Sequence, residues 1–247
     1  MNRWEIDINC DVGEGVGNEA RLFPYISSCN LACGGHAGDM ATMREVISLA
    51  KKHRVRVGAH PSYPDRENFG RKSMQMETEI FRDSIESQVK GLEDILREEG
   101  VEMSHIKAHG ALYNDLAKNS ELSEQYLEAI SECRNGIPLY VPYGSAISIA
   151  AQHSGFECVY EAFGDRNYED DLTLVSRESP QALITEPEAV LRHLLTMIVN
   201  SEVKTVRGHF RHIEAQTYCI HGDTATAYEI LAYLSVEFPK HHIHLRK

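Results

Sequence analysis

The stretch from residue 55 to residue 108 opens with VRVGA (55–59), continues through TEIFRDSIESQVKGLEDILREEG (78–100), and closes with MSHIKA (103–108). The first and last pieces are short, β-rich and apolar, as strands are. Between them, Ile80, Phe81, Ile85, Val89, Leu92, Ile95 and Leu96 recur at spacings of three and four and predict one face of a long helix over Thr78–Glu99. Gly100 supplies its stop. Strand, helix, strand in that order implies two parallel strands joined by a right-handed crossover.

The same alternation extends in both directions. Upstream, Trp4–Cys10 alternates as a strand, a weaker strand spans Ile26–Ala32, and Met43, Val46, Ile47 and Ala50 mark a helix over Met40–Arg54. Downstream, a helix over Leu122–Cys133 leads to a strand at Pro138–Val141. Ser145–His153 reads as a helix ended by Gly155, and Glu157–Phe163 as a strand. Thr185 and Glu188 have capping-box spacing for a helix running to Asn200. A last strand, Thr217–Ile220, precedes a helix over Thr224–Glu237 that Asp223 is placed to cap.

About seven parallel strands in 247 residues suit one domain over 1–247, built as an irregular β/α barrel of TIM-like type. The competing open doubly wound sheet loses ground because no G-x-G-x-x-G follows a strand. G-x-x-x-x-G-K-[ST], H-E-x-x-H and G-x-S-x-G are also absent from the sequence. The polar, aperiodic stretch Gly164–Ser179 is expected to be an active-site loop.

The formal net charge of -12 argues against nucleic acid or an anionic membrane as the main partner. The N-terminal residues lack the apolar core of a signal peptide, and no long apolar run is present. Cys10, Cys29, Cys33, Cys133, Cys158 and Cys219 are scattered and read as reduced thiols of a cytoplasmic protein. His241, His242 and His244 read as solvated tail residues.

Chemistry-bearing side chains fall where the strands end. The first strand runs into Asn9, Asp11 and Glu14, the second into Asn30, His36 and Asp39, and the third into His60, Tyr63 and Asp65. The fourth delivers Lys107, His109, Tyr113 and Asn114. The strand ending at Phe163 delivers Glu161, Asp165, Arg166 and Tyr168, and the last delivers His221 and Asp223. In parallel α/β folds such ends share one face, so these residues are expected to meet around one opening. Taken singly, Asp11 and Asp223 are also plausible helix caps, and each histidine a satisfied core residue.

Six stretches carry a family resemblance: DINCDVGEG (7–15), SSCNLACGGHAGDM (27–40), GAHPSYPDRENFGRK (58–72), HIKAHGALYND (105–115), EAFGDRNYEDD (161–171) and CIHGDTA (219–225). They resemble, in order and from about residue 6 to about residue 235, the LamB/YcsF family, the A subunit of prokaryotic 5-oxoprolinase. The resemblance implies a barrel related to those of glycoside hydrolases and polysaccharide deacetylases. It also implies ATP-dependent opening of 5-oxoproline to L-glutamate, with ATP as cosubstrate (with Mg2+), in a complex with B and C subunits. A homo-oligomer is compatible with it.

Residue type then suggests roles. Asp11 is the candidate general base or metal-holding carboxylate, and Lys107 and Arg166 are cations for a carboxylate or phosphate. His109 and His221 are candidates for proton transfer, with Asp165 beside them in the catalytic set. Asn9, Glu14, Asn30, His36, Asp39, His60, Asp65, Tyr113, Asn114, Glu161 and Asp223 are expected to line or orient the substrate site. Asp11, His36 and His60 are the candidates for a divalent metal. Two other readings stay open: a metal-dependent deacetylase or amide hydrolase without ATP, and a non-catalytic lactam-binding subunit.

Overall fold

The structure, a computed structural model, describes residues 3–134 and 136–247. Strand β1 (Trp4–Val12) leads through a short helix, α1 (Glu19–Leu22), to β2 (Ser28–Ala32). Then follow α2 (Met40–His53), β3 (Arg56–His60), α3 (Thr78–Glu98), β4 (Met103–Ile106), α4 (Gly110–Leu116) and α5 (Ser120–Ala129). The second half runs β5 (Leu139–Pro142), α6 (Ala146–His153), β6 (Cys158–Phe163), α7 (Pro187–Asn200), β7 (Glu202–Lys204) and β8 (Phe210–His212). It ends with β9 (Thr217–Cys219), α8 (Ala227–Glu237) and β10 (Ile243–Leu245).

Strands β1 to β6 pair in parallel in sequence order, β6 pairs with β9, and β9 returns to β1, which closes a seven-stranded barrel. Its irregularity is local: the register shifts between Val57 and Ala59 where β3 meets β4, and β4 meets β5 at Ile106 and Leu139. The helices pack outside. On α3, Phe81, Ile85, Val89, Leu92, Ile95 and Leu96 are buried as their spacing requires, whereas Ile80 points to solvent.

Strand β1 shows how the barrel is stabilised. Ile6, Ile8, Cys10 and Val12 are buried hydrophobic residues of the core cluster, while Asp7, Asn9 and Asp11, also buried, alternate with them. Side chains of a strand alternate between faces, so one face of β1 is apolar and the other polar. The hydrogen bonds show that the polar face looks inward. Asp7 accepts from Ser28 on β2 and Thr217 on β9, and Asn9 donates to Thr217 and to Glu161 on β6. Asn30 of β2 donates to both Asn9 and Asp11, and His105 of β4 bonds Asn30. The lumen is thus a polar column, buried but hydrogen-bonded, as buried polar groups must be.

Gly58 makes room for that column. A Cβ there would lie 2.3 Å from His105 Nε2. Gly58→Ala should therefore push His105 off its stack on Tyr140 and its bond to Asn30, at about 1–3 kcal/mol. For a chain of this size that is a fall in Tm of roughly 2–12 °C, measurable by calorimetry.

Several details depart from the sequence reading. Helix α5 stops at Ala129, and Ser131–Cys133 forms a separate 3-10 turn. The Thr185–Glu188 capping box does not form. Helix α7 starts with Pro187 at its first position, where proline's missing N–H costs nothing, and the Thr185 carbonyl accepts instead from Thr226 Oγ1. The cap residue of α8 is Thr226, so Asp223 is released for other partners. The tail is not simply solvated. β10 pairs in parallel with the start of β1, burying Ile243, while His241 and His242 stay exposed and His244 is half-buried. All six cysteines are free thiols, and no helix among the described residues is long and apolar enough to cross a membrane.

Candidate active site

A cavity of about 510 Å3 opens where the barrel strands end. Its lining includes Asp11 and Glu14 after β1, His60 at the end of β3, and Lys107, His109, Tyr113 and Asn114 after β4. Phe163 and Arg166 come from β6 and its loop, and His221 and Asp223 from the segment after β9. The expected meeting of Asp11, His109 and His221 around one opening is what the coordinates place there.

On one side, His60 Nδ1 is 2.8 Å from the Lys107 carbonyl and His109 Nε2 is 2.9 Å from the Phe69 carbonyl. Carbonyls only accept, so both nitrogens carry protons. The other two nitrogens, His60 Nε2 and His109 Nδ1, face each other at 3.0 Å. Asp11 Oδ1 lies 3.4 Å from His60 Nε2, and Glu14 Oε1 lies 3.3 Å from His109 Nδ1. Burial, then the neighbouring His60 and His36, hold His109 well below the usual imidazole range, so it is neutral near pH 7. With its proton on Nε2, His109 presents the Nδ1 lone pair toward His60 Nε2.

Asp11, Glu14, His60 and His109 together offer two carboxylate oxygens and two imidazole nitrogens within 4.8 Å of one another. That donor set suits a divalent transition metal, and the ring protons anchored on carbonyls are the usual way of aiming such ligands. The set differs from the one expected. His36 stands behind it: its Nε2 is 3.0 Å from Glu14 Oε1, and its ring stacks on His109 at 3.6 Å. Burial pushes His36 down to about 3, so it stays neutral and donates to Glu14. Burial, then the charge of Asp11, pushes Glu14 up to about 7. His60→Ala or His109→Ala should each weaken binding of Zn2+ or Mn2+ by ~100-fold or more in a calorimetric titration. Asp39→Asn, outside the cavity, should leave it unchanged.

Lys107 lies on the floor. Its Nζ is 3.0 Å from Asp11 Oδ1, 2.9 Å from Glu161 Oε1 and 3.3 Å from both Asn9 Oδ1 and Cys219 Sγ. Burial works against the ammonium, yet Asp11, Cys219 and Glu161 outweigh it and hold its pKa well above the usual lysine value. Burial likewise works against the Asp11 carboxylate, and His60 and Lys107 outweigh it, holding Asp11 well below the usual range.

Across the cavity stands a carboxylate–imidazole pair. Asp165 Oδ1 is 2.9 Å from His221 Nδ1, and its Oδ2 accepts from the His221 backbone N–H at 3.0 Å and from Thr224 Oγ1 at 3.2 Å. Burial would raise Asp165, but the charge and hydrogen bonds of His221 hold it below its usual value. The proton on Nδ1 is thereby fixed, leaving Nε2 as the ring nitrogen available to the cavity. His221 stacks on Phe163.

Other expected residues have different tasks. Arg166 lines the cavity, but its Nη2 donates to the Val175 carbonyl at 2.6 Å and its Nε to Ala182. It straps the loop Gly164–Ser179 over the site, whose Leu174 to Glu178 form the cavity wall. Asn9 and Asn30 lie under the cavity in the polar column. Asp39 caps α2 through Thr42, and Asp65 bonds Asn68; neither is in the lining. Asp223 is bound by Arg71 and stands 3.9 Å from Arg177. The sequence reading missed His105, Arg71 and Arg177. His105 had a signal, since it sits two residues before Lys107 and so shares its inward face. The two arginines lie in loops, where no periodicity points inward.

Fold and site together define a β/α barrel that gathers a histidine–carboxylate cluster and a separate carboxylate–histidine pair at its C-terminal mouth. The chain belongs to the LamB/YcsF family, whose model matches residues 6–247. Among solved structures it is similar to the lactam utilization protein of Thermus thermophilus. The two are 33% identical over 98% of this chain and 99% of that one, with a TM-score of 0.91. A protein of Enterococcus faecalis, described as a cellobiose-phosphate cleavage protein, shares the fold at 12% identity. That match covers 100% of this chain and 98% of that one, with a TM-score of 0.59.

Proposed function

We propose that this chain opens the amide of a small lactam by hydrolysis, with 5-oxoproline as substrate and L-glutamate as product. In this reading it is the A subunit of a cytoplasmic complex whose B and C subunits take part and in which ATP is consumed. The observation that carries the reading is the placement of the Asp165–His221 pair across one cavity from Asp11, Glu14, His60 and His109. Membership of the family and the lactam utilization relative support the choice of a lactam.

An amide resists water because its carbonyl carbon is weakly electrophilic and its nitrogen leaves poorly. A hydrolase therefore needs a base for water and an acid for nitrogen. His221, aimed by Asp165, is placed to move a proton at Nε2. Asp11, kept ionised beside Lys107, is placed as the opposing base or as an ion-holding carboxylate. A divalent ion held by Asp11, Glu14, His60 and His109 would supply Lewis acidity toward the carbonyl oxygen. Arg71, Lys72 and Arg177 at the cavity wall are the cations suited to the phosphates of ATP.

The ion-donor set favours one second reading: amide hydrolysis by the ion-loaded chain alone, without ATP. A single assay separates the two. Glutamate release from 5-oxoproline is measured with and without ATP, and with and without the candidate partner subunits. Release that requires ATP and partners supports the first reading, and release by the metal-loaded chain alone supports the second. No release in any arm overturns both.

A further inference from the structure

Beside the main cavity lies a smaller chamber of about 120 Å3. Tyr113, Asn114, Phe163 and Leu174 line both, so the chamber opens onto the reactive groups. Its walls are largely apolar, with Phe163, Leu172 and Leu174 among them, but two buried polar atoms have no partner. Glu161 Oε1 is fully engaged by Asn9 Nδ2 and Lys107 Nζ, each at 2.9 Å. Glu161 Oε2 has no hydrogen bond, although that side chain is completely buried. The Tyr113 hydroxyl, likewise buried, lies close to this carboxylate but makes no hydrogen bond of good geometry to it or to any other group.

A carboxylate oxygen is a strong acceptor, and leaving one buried and unmatched is costly. Native proteins rarely do so without a functional reason. The size is informative as well, since a cavity of about 150 Å3 accepts a benzene ring. A chamber slightly smaller suits one five-membered ring, with any larger part of a ligand left in the main cavity. Lys107 bonds both Asp11 and Glu161, so the chamber's acceptor is one ammonium away from the cluster at the mouth.

We propose that this chamber holds the ring of a secondary cyclic amide, whose ring N–H donates to Glu161 Oε2 beside the Tyr113 hydroxyl. The proposal rests on the lactam reading above and adds the specificity device: the site selects for a hydrogen on the ring nitrogen. The ring methylenes lie against Phe163, Leu172 and Leu174, and the carbonyl end faces the main cavity.

The test is a ligand-observed NMR titration of the full chain with 2-pyrrolidinone, N-methyl-2-pyrrolidinone and γ-butyrolactone. The wild type should bind 2-pyrrolidinone ~10-fold or more tightly than the other two, which lack the N–H. In Glu161→Gln, Lys107 and Asn9 hold the amide oxygen in place of Oε1, so the NH2 group replaces Oε2 and becomes a donor. Selectivity should then disappear or turn toward γ-butyrolactone, which a merely structural role for Glu161 would not produce. Ala117→Phe, which adds bulk at a residue that lines the chamber and not the main cavity, should abolish 2-pyrrolidinone binding and decides the matter if Glu161→Gln does not fold.

No saturable binding of 2-pyrrolidinone, equal affinity for its N-methyl analogue, or unchanged affinity in Ala117→Phe overturns the inference. Amide turnover without N–H selectivity would remove the chamber's role and leave the proposed function standing. Selective binding without turnover would do the reverse.

Discussion

Asp165→Asn is expected to lower kcat for amide opening by roughly 10^3- to 10^4-fold with little change in KM, the scale seen when a catalytic histidine loses the carboxylate that sets its tautomer. Asp165 uses both oxygens: Oδ1 is the nearer to His221 Nδ1, and Oδ2, 3.1 Å from the same nitrogen, also accepts from the His221 backbone and Thr224. Asparagine keeps the shape but puts an NH2 group against one of these donors. If the backbone N–H and Thr224 retain the oxygen, the ring meets a donor and its Nδ1 loses its proton, which moves to Nε2. The group that should exchange a proton with substrate is then in the wrong state. His221→Ala should cost about as much, and the double variant little more, because two residues that act as a unit do not add. Single-turnover rates in the complete enzyme check this, and a wild-type rate in Asp165→Asn would remove the pair from the mechanism.

Lys107→Met should have the largest effect on stability, about 3–5 kcal/mol, because it leaves two buried carboxylates without their shared cation. In a chain of this size that is a drop in Tm of roughly 6–20 °C. The loss should depend on pH in a definite sense. In the wild type Asp11 sits well below the usual carboxylate range, so its contribution is present above its unfolded pKa and fades as pH falls through the folded one. Without Lys107, Asp11 keeps the lowering influence of His60 but loses that of the ammonium, so the variant gains less stability than the wild type as pH rises through the carboxylate range. The gap between the two proteins should narrow toward acid. Urea unfolding at several pH values tests this, and a gap that is constant from about pH 4 to 8 would show that Lys107 acts by packing alone.

Both residues were legible as strand-end candidates, but their relations were not. The spacing of Ile85, Val89, Leu92 and Leu96 is enough to place α3, since a helix buries whatever recurs with its period. The alternation in WEIDINCDV (4–12) is enough to make β1 a strand. It does not say which face is the lumen, because alternation has the same period whichever side is polar. Usual experience with barrels, whose interiors are filled by branched apolar residues, points the wrong way here. Only barrel closure, with β9 returning to β1, turned Asp7, Asn9 and Asp11 inward.

The cation set shows the same limit. His36 and His60 both follow strands, and nothing local distinguishes them. The carbonyls of Lys107 and Phe69, from other parts of the chain, fix the protons of His60 and His109, and the position of Glu14 turns His36 into its support. Likewise Arg166 reads as a substrate cation until the returning loop places the Val175 and Ala182 carbonyls on it.

By itself, the sequence determined the order of strands and helices, the parallel barrel, the family, and the end of the barrel where the chemistry lies. Each depends on local periodicity or on residues close together in the chain. The tertiary structure decided which side chains are partners, which nitrogen of each histidine is available, and where a buried acceptor is left over at Glu161. Those facts are set by distances between segments far apart in the chain, as with Asn9 and Thr217 or Asp11 and Lys107. Hydrogen bonding and electrostatics depend on such distances, and no pattern along the chain encodes them.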